Sequence, residues 1–146
     1  MLHIKAEYNK VFINNEYNWQ SFTKDSTTCY FKGWFRYQGN VFKNENGAKK
    51  IIDILSNESI LNTKDEVNSL EGNWGFILRT PEYILASVDK IRSYPIFYSK
   101  NKKDFGISNS ARYLQQQKNL NDNNIDSLLE FKMAGYVSGR HTLING

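Results

Sequence analysis

The stretch that most constrains the fold is residues 70–98, LEGNWGFILRTPEYILASVDKIRSYPIFY. Trp74, Phe76 and Leu78 alternate with Gly75, Ile77 and Arg79, which reads as a strand. Thr80-Pro81-Glu82 then breaks the run, because proline cannot donate to a sheet ladder. The second run, Tyr83–Val88, is aliphatic or β-branched on both faces, as a strand covered on both sides would be. A hairpin is the simplest account of the two runs. It ends at the charged step Asp89-Lys90. Pro95 fixes its own φ and biases Tyr94 toward extended geometry, so Ile96-Phe97-Tyr98 is expected to restart as a strand.

The rest of the chain can be placed around this unit. LHIKA at 2–6 and KVFI at 10–13 read as two short strands with a turn at 7–9. Residues 14–26 are polar, with Trp19 and Phe22 spaced for one buried face, and read as loop. TTCYFKGWFRY, Thr27–Tyr37, is aromatic and β-prone, and Gly33 marks a bulge or a close backbone approach. From Asn46 the period changes: Ala48, Ile51, Ile52 and Leu55 form one apolar stripe on a helix of roughly two to three turns, capped by Asn46. A looser polar segment at 57–68 leads into the hairpin. Residues 101–104 make a charged turn, from which Phe105-Gly106-Ile107 returns antiparallel. Residues 110–116 form a short helix, and a polar connector follows. Ile125, Leu128, Leu129 and Met133 give a last amphipathic helix stopped at Gly135. Strands outnumber helices without alternating with them, which indicates α+β layering.

A chain of 146 residues is expected to form one domain that closes a single core. Its net charge of +4 comes from lysines scattered among acids, with no arginine-rich stripe, so a solvated surface is expected and no nucleic-acid partner. No apolar run approaches a membrane span, and MLHIKAEYNK has neither an h-region nor a cleavage site. A cytoplasmic protein with no membrane partner is the expectation. The single Cys29 allows no internal disulfide and fits a reducing compartment.

LEGNWGFIL, LASVDKIRSYPIFY and FGISNSARYL, taken in order, resemble the N-terminal glutaminase domain of the asparagine synthetases, class II glutamine amidotransferases of the Ntn-hydrolase fold. The family patterns are Leu-x-Gly-x-Phe-Ala-Phe, then Arg-Asp-Arg-x-Gly-x-Lys-Pro-Leu-Tyr-Tyr, then Phe-Ala-Ser-Glu-x-Lys-Ala-Leu. Leu70, Gly72, Trp74, Gly75 and Phe76 fall in the first block, and Asp89, Lys90, Pro95, Ile96, Phe97 and Tyr98 in the second. Ser108 and Leu114 fall in the third. The closing LLEFKMAGYVSGRHTLING resembles the family's handover to its ATP-using domain, Gly-Tyr-Val-x-Gly-x-x-Thr-Leu-x-x-Gly. The resemblance implies a four-layer αββα sandwich of two antiparallel sheets. It also implies a glutamine amidotransferase type 2-like domain over 1–134 and the start of a linker toward an absent ATP-dependent synthetase domain over 135–146.

The same resemblance implies a degenerate site. In the family a cysteine becomes residue one, and its free α-amino group serves as base. Here Leu2 follows Met1, with neither thiol nor hydroxyl. Cys29 has no free amine and reads as a small buried hydrophobe. The family's Asn-Gly-Glu strand end, which holds the oxyanion and the glutamine, matches Lys32-Gly33-Trp34, where only the glycine remains. The substrate-gripping aspartate falls near Asn46-Gly47-Ala48, and the Arg-Gly-Pro-Asp loop has no match before Cys29. Lys32, Gly33, Trp34 and Gly47 are therefore remnant glutamine-pocket positions, and no catalytic residue is assigned.

Other constellations add little. His3 and His141 lie near opposite ends of the chain without ligand spacing, so no metal site is expected, and no phosphate-loop motif is present. Asp89 and Arg92 are candidates for a partner-facing charge set. Tyr136, Leu143 and Ile144 in the apolar tail are candidates for an interface. The expected function is a scaffold or docking domain of an asparagine-synthetase-type amide ligase. The parent system would resemble asparagine synthetase, a β-lactam synthetase or a peptide cyclase. The partner is an ATP-dependent synthetase domain in the same chain or a separate protein, with a homodimer as a further arrangement. ATP and magnesium are expected only in that missing domain or partner. Two alternatives are an active amidotransferase using an unrecognised nucleophile, Cys29 or a processed N-terminus, and a ligand- or peptide-binding module. In the second, the old pocket, lined by Lys32 and Trp34, accepts an anionic or aromatic ligand.

Overall fold

The computed structural model describes residues 1–5, 9–55, 60–101 and 104–135, with the backbone alone at 2–5, 9, 60–62, 101 and 104. In chain order the elements are β1 (Leu2–Lys5), β2 (Asn9–Phe12), β3 (Gln20–Lys24), β4 (Thr27–Tyr37), β5 (Asn40–Lys43), α1 (Asn44–Leu55), α2 (Ile60–Asn68), β6 (Glu71–Arg79), β7 (Tyr83–Val88), β8 (Phe97–Asn101), β9 (Asp104–Ser108), α3 (Ala111–Lys118) and α4 (Ile125–Ala134). The expected hairpin is β6 and β7, running from Gly75↔Val88 to Arg79↔Ile84. Its turn is closed by Thr80, whose amide donates to the Tyr83 carbonyl at 2.9 Å and whose hydroxyl accepts from the Glu82 and Tyr83 amides. The side chain takes over hydrogen bonding that Pro81 interrupts.

The larger sheet has the order β1-β7-β6-β4-β3, with β5 also on β4. β4 is long enough to hold β6 along one edge, from Thr28↔Arg79 to Arg36↔Glu71. Its other edge is shared, β3 pairing with Thr27 to Phe31 and β5 with Trp34 to Tyr37. The second sheet has the order β2-β9-β8.

Period-2 alternation divides the apolar residues between two cores, correcting the expectation of one, because the central strands are apolar on both faces. Cys29, Phe31, Phe35, Trp74, Phe76, Leu78 and Leu85 face one way and meet Ala48, Ile51, Ile52 and Leu55 of α1 and Val67 of α2. Ile77, Ile84 and Ala86 face the other way and meet Phe105 and Ile107 of the second sheet. α3 covers that sheet's far side, where Leu114 and Lys118 lie against Gly106. The protein is thus an α+β sandwich with helices outside two stacked sheets. β6 and β7 are apolar on both faces because they lie inside the stack. Phe31, Phe35 and Phe76 are completely buried, each contributing about 1.5–3 kcal/mol relative to exposure.

Several expectations are corrected. The second sheet is not wholly antiparallel: β2 runs parallel to β9, Asn9↔Phe105 through Phe12↔Ser108. Strands so far apart in sequence are not tied by a short turn, so either direction is open to them. β1 and β2 are not a hairpin, since they enter different sheets. Residues 14–26 contain strand β3, in which only Phe22 is half-buried, the pattern of an exposed edge. β5 and α2 were also unrecognised, and α1 opens at Asn44, so Asn46 lies within its first turn and does not cap it.

Gly33 explains why β4 and β6 can close on each other. Its φ is +100°, and a Cβ there would collide with the Asn73 carbonyl oxygen and the Tyr94 ring. Gly33→Ala is expected to cost at least about 2 kcal/mol in urea denaturation. Gly39→Ala, where φ is +79° and nothing lies within 4 Å, should cost only about 1 kcal/mol. Equal costs at the two positions would contradict the close-approach account.

Candidate functional site

A cleft among the described residues lies where the chain begins. Pairing of Leu2 with Ala86 carries residue 1 to the end of β7. There Met1 and Trp34 line a cavity of about 760 Å³ with Gly72, Asn73, Ser87 and Asp89. β4 and β6 shape its wall: Gly72 has φ +133°, and a Cβ there would sit 2.6 Å from the Trp34 carbonyl oxygen. Trp34, at the end of the 32–34 stretch, thus shares a cleft with residue 1.

Beneath this cleft, Asp89 organises the loop between the sheets. Its carboxylate accepts from the Trp74 amide at 2.9 Å, the Ile91 amide at 2.9 Å and the Ser93 amide at 3.2 and 3.3 Å. Its own amide donates to the Trp74 carbonyl at 3.0 Å, and its carbonyl accepts from the Arg92 amide at 3.0 Å. Asn73 completes the clamp by donating from Nδ2 to Ser93 Oγ at 2.7 Å. Burial pushes the Asp89 carboxyl upward, but the Ser93 hydroxyl and the Trp74, Ile91 and Ser93 amides outweigh it and hold the group below the usual carboxylate range. The expectation that Asp89 faces a partner is corrected: it is 6% exposed and its carboxylate is turned into the loop. Arg92 is exposed and lines a smaller cavity of about 240 Å³ with Met1, Ile96 and Tyr98. It occupies the left-handed region, φ +59°.

The four remnant-pocket positions do not form one pocket. Trp34 lines the large cleft, while Lys32 lines a separate cavity of about 490 Å³ with Trp19, Tyr94 and Arg112. Gly33 lies between, against Asn73 and Tyr94. Gly47 is on the helix side, where a Cβ would crowd the Phe31 ring. Tyr136, His141, Leu143 and Ile144 fall outside the described residues, as does the side chain of His3. Asn73, Tyr94 and Arg112 were not singled out from sequence. Asn73 had a signal in its place beside Gly72, but Arg112 had none, because only the packing of α3 brings it to Lys32's cavity.

Cys29 is completely buried in the helix-side core, and burial pushes its thiol far above its ordinary value. It is held as a thiol with no access to substrate, as expected of a small hydrophobe. The large cleft's described lining contains no cysteine or histidine, and its Ser69 hydroxyl donates to the Glu66 carbonyl at 2.7 Å. Among the described residues, no three His, Cys, Asp or Glu side chains converge as a metal site. No helix among them is long and apolar enough to cross a membrane. No family profile, curated protein or solved structure matches the chain.

Two substitutions test the loop. Asp89→Asn is expected to lower stability by about 1–3 kcal/mol at neutral pH, since it removes a charged acceptor from a buried amide cluster. A folded-state pKa below the unfolded value of about 4 stabilises the protein above that pH, and this contribution is lost as pH falls through the folded pKa. The wild-type advantage over Asp89→Asn should therefore shrink under acid in urea titrations. A constant gap would refute it. Arg92→Gly should be neutral or stabilising by up to about 1 kcal/mol, because relief of the left-handed penalty outweighs or balances the entropy of glycine. Arg92→Val should instead destabilise by roughly 1 kcal/mol, and the reverse order in thermal melts would contradict the assignment.

Proposed function

We propose that this chain is a degenerate glutaminase-like domain of an asparagine-synthetase-type, ATP-dependent amide-forming ligase. It serves as a scaffold or docking domain without hydrolysing glutamine. The helix-flanked double sheet is compatible with the Ntn-hydrolase αββα sandwich that the resemblance implies. Two local features support the same reading. Met1 and the Lys32-Gly33-Trp34 strand end meet at one cleft through Trp34. The position at which the family pattern carries glycine, here Arg92, keeps a positive φ.

The observation that carries the docking role is α4. Asn124 caps it by accepting from the Ser127 amide at 3.0 Å, and Gly135 ends it at φ +80°. The helix therefore satisfies its termini locally. Yet Ile125 is 79% exposed, Leu129 58% and Met133 81%, one stripe at four-residue spacing. This apolar stripe faces away from both described cores. An exposed apolar stripe of this kind fits a protein partner. It leads directly into the segment that resembles the handover to the synthetase domain. ATP and magnesium would be bound by that domain, whose Ser-Gly-Gly-x-Asp-Ser loop lies beyond the sequence matched here.

Mixing the chain with a separately expressed synthetase domain carrying that loop should give a complex by sedimentation. The pair Ile125→Ser and Met133→Ser should weaken the complex at least about tenfold while leaving the melting temperature unchanged. The purified chain should release no glutamate from glutamine above background. Unaltered binding by the double variant would remove the docking role, and glutamate release that disappears in Cys29→Ala would replace the scaffold reading with catalysis.

A further inference from the structure

We infer that the cavity of about 490 Å³ on the Lys32 side of β4 is a binding site for a small aromatic carboxylate. It lies apart from the cleft at Met1, and the inference does not rest on the docking role. Its size falls within the range of small-ligand pockets, about 300–1,000 Å³.

Two strand glycines make room for its rings. At Gly33 a Cβ would strike the Tyr94 ring, and at Gly75 a Cβ would lie 3.2 Å from the Trp19 ring and 2.9 Å from the Tyr94 carbonyl oxygen. Trp19 and Tyr94 therefore seat directly on the sheet backbone, and both line the cavity with Phe97. A side chain at Gly33 would fill the space that the Tyr94 ring occupies, and one at Gly75 would crowd the Tyr94 backbone and the edge of the Trp19 ring. The third wall is held from across the chain: the Asn14 amide donates to Asn109 Oδ1 at 2.8 Å, and Asn109 Nδ2 donates to the Asn14 carbonyl at 3.0 Å. This pair fixes the segment leading to Trp19 against the start of α3. A site whose rings are positioned before binding loses less entropy when a ligand arrives.

The charge is of one sign. Lys32 and Arg112 line the cavity and no Asp or Glu does. Lys32 donates to the Asn18 carbonyl at a long 3.5 Å, and its Nζ lies 6.0 Å from the centre of the Tyr94 ring. An ammonium has three donors, so two remain for a ligand. No carboxylate lies within ion-pair distance of either cation among the described residues. Aromatic walls select a flat apolar body, and two cations select an anionic end. A ring bearing a carboxylate meets both requirements, whereas a neutral ring or a bare anion meets one. Of the two residues expected to line an anionic or aromatic ligand's pocket, Lys32 lies in this cavity with Trp19 and Tyr94, and Trp34 lies in the other.

Calorimetric titration of the full chain with phenylacetate, phenylacetamide and acetate separates the two requirements. Phenylacetate should bind at millimolar strength or better, and the amide and acetate at least about tenfold more weakly. Lys32→Gln and Arg112→Gln, both at cavity-lining cations outside the cores, should each weaken phenylacetate about tenfold with unchanged melting temperatures. Phenylacetate binding no better than acetate or the amide would overturn the inference. So would wild-type affinity in both variants, or no heat of binding up to roughly 10 mM. The titration needs no protein partner, so its failure leaves the docking proposal standing, and failure of docking leaves this site standing.

Discussion

The antiparallel pairing of β4 with β6 is the contact on which the rest of the molecule depends. Nine residue pairs, Thr28↔Arg79 to Arg36↔Glu71, set which side chains face α1 and which face the second sheet. A slip of one residue would exchange the two faces and send Phe76 and Ile77 into the wrong cores. The Arg36–Glu71 ion pair at 3.8 Å is more than half exposed on both sides and contributes at most about 1 kcal/mol. Packing sets the register: Phe31, Phe35, Phe76 and Leu78 on one face, Ile77 on the other. α1 can settle on β4 because Gly47 lets the helix backbone approach the Phe31 ring.

That pairing also makes the surface features. At Gly33 and Gly72 the two strands approach too closely for a side chain, and both glycines have positive φ. On one side of this irregular stretch the strands open onto the cleft at Met1. On the other, Lys32 joins Trp19 and Tyr94 in the second cavity. Asp89 stabilises the junction by gathering amides from Trp74, Ile91 and Ser93 around one carboxylate. Its oxygens are occupied by these amides, so the carboxylate serves the structure of the loop.

The legible parts of the fold were those whose cause is local. The β6–β7 hairpin follows from alternation around Thr80-Pro81, and α4 follows from its stripe and its stop at Gly135. Gly33 could be read as a close approach because a glycine inside an aromatic strand has few other uses. β3 was not legible, since four of its five residues are exposed and an edge strand needs little hydrophobic signal. β5 is four residues long and only Phe42 is half-buried. The parallel β2–β9 pair was hidden because no turn records it. The candidate site was legible in fragments only: Lys32 and Trp34 are two residues apart, yet with Gly33 at φ +100° between them they line different cavities.

By itself, the sequence determined the apolar periods, the breaks at proline and glycine, the burial tendency of Cys29 and the α+β class, because each depends on backbone geometry and hydrophobicity within a short window. Tertiary structure alone decided the direction of β2, the inward turn of Asp89, the exposure of α4 and the meeting of Trp19, Tyr94, Lys32 and Arg112 at one cavity. Those depend on which distant segments share a surface, and that choice is made by packing the whole chain.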